Sequence, residues 1–181
     1  MYSPDINLRI TDLPQARRLL QEKWPTWAVT LLGPAKPWHR DHETLWSTGD
    51  NHVRIVVDDI TAEWSEWEAC QHRHIHELLS WASNIQPGDN VLIHCRAGVS
   101  RSTAASIAVL VSRGATPRDA INYVQQIRPI LDPNELILKR ADEVMGLRGA
   151  LLEAYADWAD VQTKQLYNYI PRQREHEYPA H

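Results

Sequence analysis

Val91-Leu92-Ile93-His94-Cys95-Arg96-Ala97-Gly98-Val99-Ser100-Arg101-Ser102-Thr103-Ala104-Ala105-Ser106-Ile107-Ala108-Val109-Leu110-Val111 decides the fold. Val91-Leu92-Ile93 is a short apolar run that reads as a buried strand. The run from Thr103 to Val111 is too long and too Ala-rich for a strand and reads as a buried helix. Cys95 therefore stands at the end of a strand, on a loop that feeds a helix N-terminus. A thiol there is activated, because the helix N-terminus favours the thiolate. The same place suits an anion, since successive backbone N–H groups can converge on it. Gly98 lets the loop take a tight or left-handed turn. Arg101 can close the ring with a two-pronged contact to two oxygens of a bound phosphate. Ser102 can give a hydroxyl hydrogen bond to the sulfur.

His94-Cys95, five residues, Arg101 and Ser102 resemble the signature of the cysteine-dependent protein tyrosine phosphatases. The Ala97-Gly98-Val99-Ser100-Arg101-Ser102 wording is similar to the dual-specificity branch. The resemblance covers roughly residues 5–147 and implies a small, mostly parallel twisted sheet flanked by helices, an α/β fold. It implies Cys95 as nucleophile and Arg101 as phosphate ligand. The backbone of Arg96, Ala97, Gly98, Val99, Ser100 and Arg101 would cradle the phosphate, with His94 and Ser102 in support. It also implies an acid on a loop ahead of the cysteine, after an apolar-x-apolar-x-Asp strand. Ile55-Val56-Val57-Asp58-Asp59 fits, with Asp59 at the acid position, 36 residues before Cys95, and Asp58 as the alternative. A positioned acid that protonates the leaving oxygen contributes about 10²–10⁴-fold. The competing reading is that these aspartates only cap a helix or brace the loop. No cofactor or metal is called for.

Working outward, Ile6 to Ile10 alternates as a strand. Asp12 caps a helix that turns Ala16, Leu19 and Leu20 inward, and Trp27 to Leu32 is a second strand. Residues 33–51 form a long loop carrying His39 and His42. With no helical pattern or third ligand beside them, solvated loop histidines are favoured over a metal pair. His52 to Val57 is a third strand. Ser65 and Glu68 look like a capping box for the next helix, whose inward face is Ile75, Leu78, Leu79, Ala82 and Ile85. His72, His74 and His76 diverge on that helix and are expected on a solvated face. Cys70 is expected to be buried on the helix, with a redox partnership to Cys95 as the less favoured role. Thr116-Pro117 and Asp132-Pro133-Asn134-Glu135 each start a helix, and the Pro133-Asn134 pair after the Arg128-Pro129 loop is similar to the matching segment of the dual-specificity phosphatases. A last helix covers roughly 150–169, and 171–181 is expected to fray.

The 181 residues, 43% hydrophobic, suit a single domain with a core at about 5–147 and a C-terminal helical extension at 150–181. Two cysteines argue against a disulfide framework and for a reducing compartment, with cytoplasmic location the expectation. No basic segment followed by an apolar run marks a leader, and no apolar stretch reaches membrane-spanning length. A net charge of −4 gives no reason to expect nucleic acid. The expected partner is a phosphorylated protein or a small phosphate ester; oligomeric state stays open. Phosphoinositides are the nearest rival substrates, although Ala97, Val99 and Ser100 supply no extra lysine. A phosphate-binding module without catalysis is the rival from another class. A rhodanese-like sulfur transferase fits the Arg101-Ser102 ending poorly.

Overall fold

The computed structural model describes residues 2–34 and 51–169. Among these are four strands and six helices, in the order β-α-β-β-α-β followed by four helices. The strands are β1 (Asn7–Thr11), β2 (Trp27–Leu32), β3 (His52–Val56) and β4 (Asn90–His94). They form one parallel sheet in the order β1-β4-β2-β3. Ile93 lies beside Ile10 on one flank and Val29 on the other. β4 is thus an interior strand with both faces covered, which is why Val91, Leu92 and Ile93 are a continuous apolar run rather than an alternation.

Helix α1 (Leu13–Gln21) covers one face, packing Ala16 and Leu19 with Ala28 and Leu92. The other face carries the main core. It is built with α2 (His72–Ala82), α3 (Arg101–Ser112), α4 (Pro117–Ile127), α5 (Glu135–Met145) and the start of α6 (Ala150–Tyr169). α3 runs through the middle of that layer. Every residue from Arg101 to Leu110 is buried, and Ala104, Ala105 and Ala108 let its neighbours approach closely.

Asp12 caps α1 by accepting from the Gln15 N–H at 2.9 Å, and Thr116 caps α4 in the same way through Asp119 at 3.1 Å. Other local expectations are corrected. Ser65 and Glu68 do not start a helix; α2 begins at His72 behind Gln71, with the His74 ring accepting from the Gln71 N–H at 3.1 Å. The Glu68 N–H is taken instead by the Asp58 carboxylate at 2.7 Å, a long-range partner that a capping pattern cannot announce. His74 accordingly lies buried rather than on a wet face, while His72 meets Glu143 at 2.7 Å. Cys70 is buried, but on the loop ahead of α2, and burial pushes its thiol up to about 12. α5 is capped by Asn134, two residues later than the Asp132-Pro133 pattern suggests. His39, His42 and the terminal residues 171–181 lie outside the described residues.

Candidate active site

The site is made where β4 ends and α3 begins. Cys95 follows the last residue of β4, and its sulfur is enclosed, with 1% exposure for the residue. The Gly98 N–H points at Cys95 Sγ from 3.2 Å, and Ser102 Oγ lies 3.2 Å from the same atom. Gly98 has φ +70°, and a Cβ there would sit 2.5 Å from the Thr11 carbonyl carbon and 2.6 Å from the Asp12 nitrogen. The loop therefore crosses the β1–α1 junction at a distance that only glycine allows.

The loop's carbonyls are held from outside. Cys95 O faces His94 Nδ1 at 3.3 Å, and Arg96 O accepts from the Leu13 N–H at 3.0 Å, one of the N–H groups that α1 leaves unpaired at its start. Arg128 donates to Ala97 O at 3.0 Å and to Gly98 O at 2.8 Å. Val99 O accepts from the Asp132 N–H at 3.0 Å and from Thr103 Oγ1 at 2.5 Å. Ser100 O accepts from Thr103 Oγ1 at 2.8 Å and the Ala104 N–H at 3.1 Å. In a planar trans peptide the N–H points opposite to its carbonyl. Six consecutive outward carbonyls turn the N–H groups of residues 96–101 towards the interior.

Arg101, 2% exposed, opens α3 and donates through Nη1 to Val57 O at 2.9 Å; its Nε lies 3.7 Å from Asp59 Oδ2. The two candidate aspartates part company. Asp58 is buried; its Oδ2 accepts from the Glu68 N–H at 2.7 Å and its own N–H donates to Glu68 O at 2.8 Å. Asp59 turns the other way, its Oδ1 accepting from Ser100 Oγ at 2.7 Å and Asn134 Nδ2 at 3.0 Å. Ser100 therefore leaves its capping position on α3 unused by its side chain.

The His94 ring is fully buried and does not reach the sulfur. Its Nε2 lies 2.7 Å from Thr30 Oγ1, which lies 2.8 Å from His52 Nε2. Burial, opposed by the bond to the Cys95 carbonyl, holds His94 down to about 4, so the ring is neutral near pH 7. A carbonyl can only accept, so His94 carries its proton on Nδ1 and Thr30 donates to Nε2. Thr30, Leu13, Arg128, Asp132 and Asn134 serve this site without belonging to its motif. Only the Pro133-Asn134 pair, read beside the Arg128-Pro129 loop as similar to the dual-specificity pattern, gave a signal in the sequence. Among the described residues no group of three His, Cys, Asp or Glu side chains is placed to hold a metal.

A family model described as the dual specificity phosphatase catalytic domain matches residues 34–140. A putative tyrosine-protein phosphatase, R622 of Acanthamoeba polyphaga mimivirus, is 28% identical over 101 residues, 51% of this chain and 48% of the relative. Protein phosphatase Slingshot homolog 3 of Rattus norvegicus is 35% identical over 106 residues, 58% of this chain and 15% of the relative. The chain thus spans about half the length, or less, of these curated relatives. Among solved structures, Tk-PTP in its active form matches with a TM-score of 0.54 at 24% identity, covering 78% of this chain and 92% of that one. PTPMT1 matches with a TM-score of 0.54 at 20% identity, covering 85% and 95%. These likenesses establish the fold.

Proposed function

The chain belongs to the dual specificity phosphatase catalytic-domain family, and from that premise we propose that it hydrolyses phosphomonoesters, phosphorylated proteins first among them, through a phosphocysteine intermediate. One observation carries the reading: an enclosed Cys95 sulfur met by the Gly98 N–H and Ser102 hydroxyl, with Arg101 and Asp59 meeting beside it. In the first step the Cys95 thiolate attacks phosphorus in line. The bond to the leaving oxygen breaks, and Asp59 gives that oxygen its proton. Oδ1 is occupied by two donors, so the transferable proton belongs on Oδ2. In the second step water attacks the thiophosphate with Asp59 as base, and the sulfur leaves as thiolate stabilised by Ser102. Arg101 and the inward N–H groups hold the equatorial oxygens throughout, which is preorganised electrostatic stabilisation. Asp58 is assigned to the loop base, not to proton transfer.

No helix among the described residues is long and apolar enough to cross a membrane. The chemistry needs Cys95 as a free thiol, which fits a reducing compartment such as the cytoplasm. The test is hydrolysis of an aryl phosphate in EDTA. Wild type should be active, Cys95→Ser dead, and Asp59→Asn slower in kcat by about a hundredfold. An inactive wild type with reduced Cys95 would turn the reading towards a phosphate-binding module. A phosphoinositide substrate hydrolysed faster than any phosphopeptide would move the substrate class to lipids.

A further inference from the structure

Arg128 stands at the C-terminal end of α4, 33 residues beyond Cys95, and touches neither the sulfur nor the interior of the loop by any bond described above. Its guanidinium spans two adjacent carbonyls: Nη2 on Ala97 at 3.0 Å and Nε on Gly98 at 2.8 Å. Those carbonyls belong to the peptides whose N–H groups are those of Gly98 and Val99. The Gly98 N–H is the one aimed at Cys95 Sγ from 3.2 Å. One rigid planar group on the outside therefore fixes two successive peptide planes on the inside. The other outward carbonyls of the loop have backbone or threonine donors, or, at Cys95, the buried ring of His94. At Ala97 and Gly98 the described donor is a single side chain. Gly98 is also the residue with a left-handed backbone, the point where a peptide could most easily turn over.

We propose that Arg128 is a positioning residue that clamps the Ala97–Gly98 and Gly98–Val99 peptides carbonyl-out, so that their N–H groups face a bound tetrahedral oxyanion and the nucleophile. The inference rests on the reading of the loop as an oxyanion cradle. Its distinguishing feature is geometry rather than charge. A lysine supplies the same charge, but its three donors radiate from one nitrogen and cannot reproduce the flat fork in which Nε and Nη2 each take one carbonyl. Each bond from a charged donor contributes more than a neutral one, and losing the clamp should cost about tenfold in oxyanion affinity.

The experiment is calorimetric titration of sodium tungstate, a tetrahedral dianion that needs no turnover, into wild type, Arg128→Lys and Arg128→Ala. Thermal unfolding is followed on the same samples. Both variants should bind tungstate about tenfold more weakly. Millimolar methylguanidinium should recover part of the loss in Arg128→Ala, and methylammonium at equal ionic strength should not. A merely structural residue would shift the melting temperature without this selective rescue. Tungstate binding by Arg128→Lys within twofold of wild type, or equal rescue of Arg128→Ala by methylammonium, would show that a nearby cation suffices and would overturn the clamp. Should Arg128→Ala fail to fold, Arg128→Lys decides. A wild type that binds no tungstate would overturn the cradle reading itself, and the clamp with it.

Discussion

Gly98 concentrates two constraints in one residue. Its φ of +70° is strained for any side chain, and the space a Cβ would need is filled by the backbone of Thr11 and Asp12. Backbone cannot swing aside as a side chain can, so Gly98→Ala must shift either the loop or the β1–α1 junction. We expect a stability loss of about 1–3 kcal/mol in urea unfolding and at least a tenfold fall in aryl phosphate turnover. Unchanged kinetics would mean that the loop has slack at this point. At this scale the sequence was informative because the demands are local: Cys95, Gly98, Arg101 and Ser102 fall within eight residues, and their spacing is their geometry. Arg128 and Leu13 were illegible for the opposite reason. An arginine after a helix and a leucine inside one have ordinary local explanations, and only the closed fold brings them to the loop.

Among the elements, the segment from 58 to 68 shows how a loop can be made to present one side chain. Asp58 closes its base by pairing with both the N–H and the carbonyl of Glu68. Asn134 ties the first residues to α5 through Asp59 Oδ1 and Ile60 O, at 3.0 and 3.1 Å. Arg140 adds an ion pair to Glu63, though an exposed one of small worth. Asp58→Ala should loosen the base while leaving the cradle intact. The expected signature is kcat down by about tenfold with little change in tungstate affinity, alongside about 1–3 kcal/mol of lost stability from the orphaned Glu68 N–H. Equal losses in kcat and tungstate affinity would place Asp58 in the cradle's support instead. The strand ahead of this loop was readable from its apolar run. The loop was not, because Ser65 and Glu68 imitate a helix start whose key N–H is claimed by a residue ten positions earlier. The tryptophans hide similar information: Trp27, Trp81 and Trp158 use their ring N–H to reach Asp89, Asn51 and Gln125.

Across the whole molecule, the acid limb of stability follows from buried imidazoles. Burial lowers His94 to about 4 and also lowers His52 and His74. Between the lowered folded values and the ordinary 6.5, the unfolded chain binds protons that the folded chain refuses. Stability is therefore full above about pH 6.5 and drains away as pH falls towards 4. His94 alone accounts for something on the order of 3 kcal/mol. Urea midpoints measured from pH 7 to pH 4 should fall steadily, and His94→Asn should flatten that slope; a slope that survives the substitution would assign it to other groups. The sheet's parallel α/β character was legible from alternating strands and helices. Its order was not, since nothing local tells β4 to insert between β1 and β2.

The outward carbonyls have a bearing on how the protein is made. They are secured by Leu13 from the start of the chain, by Thr103 just beyond the loop, and by Arg128 and Asp132 from the latter part. A growing chain that has emerged only as far as α3 owns the whole nine-residue motif from His94 to Ser102, with Leu13 and Thr103, and lacks Arg128 and Asp132. Competence thus arrives with assembly rather than with the motif. A fragment that stops there carries Cys95 without the donors at Ala97 and Gly98, so the proposed chemistry belongs to copies in which α4 and the segment after it have folded back onto the loop.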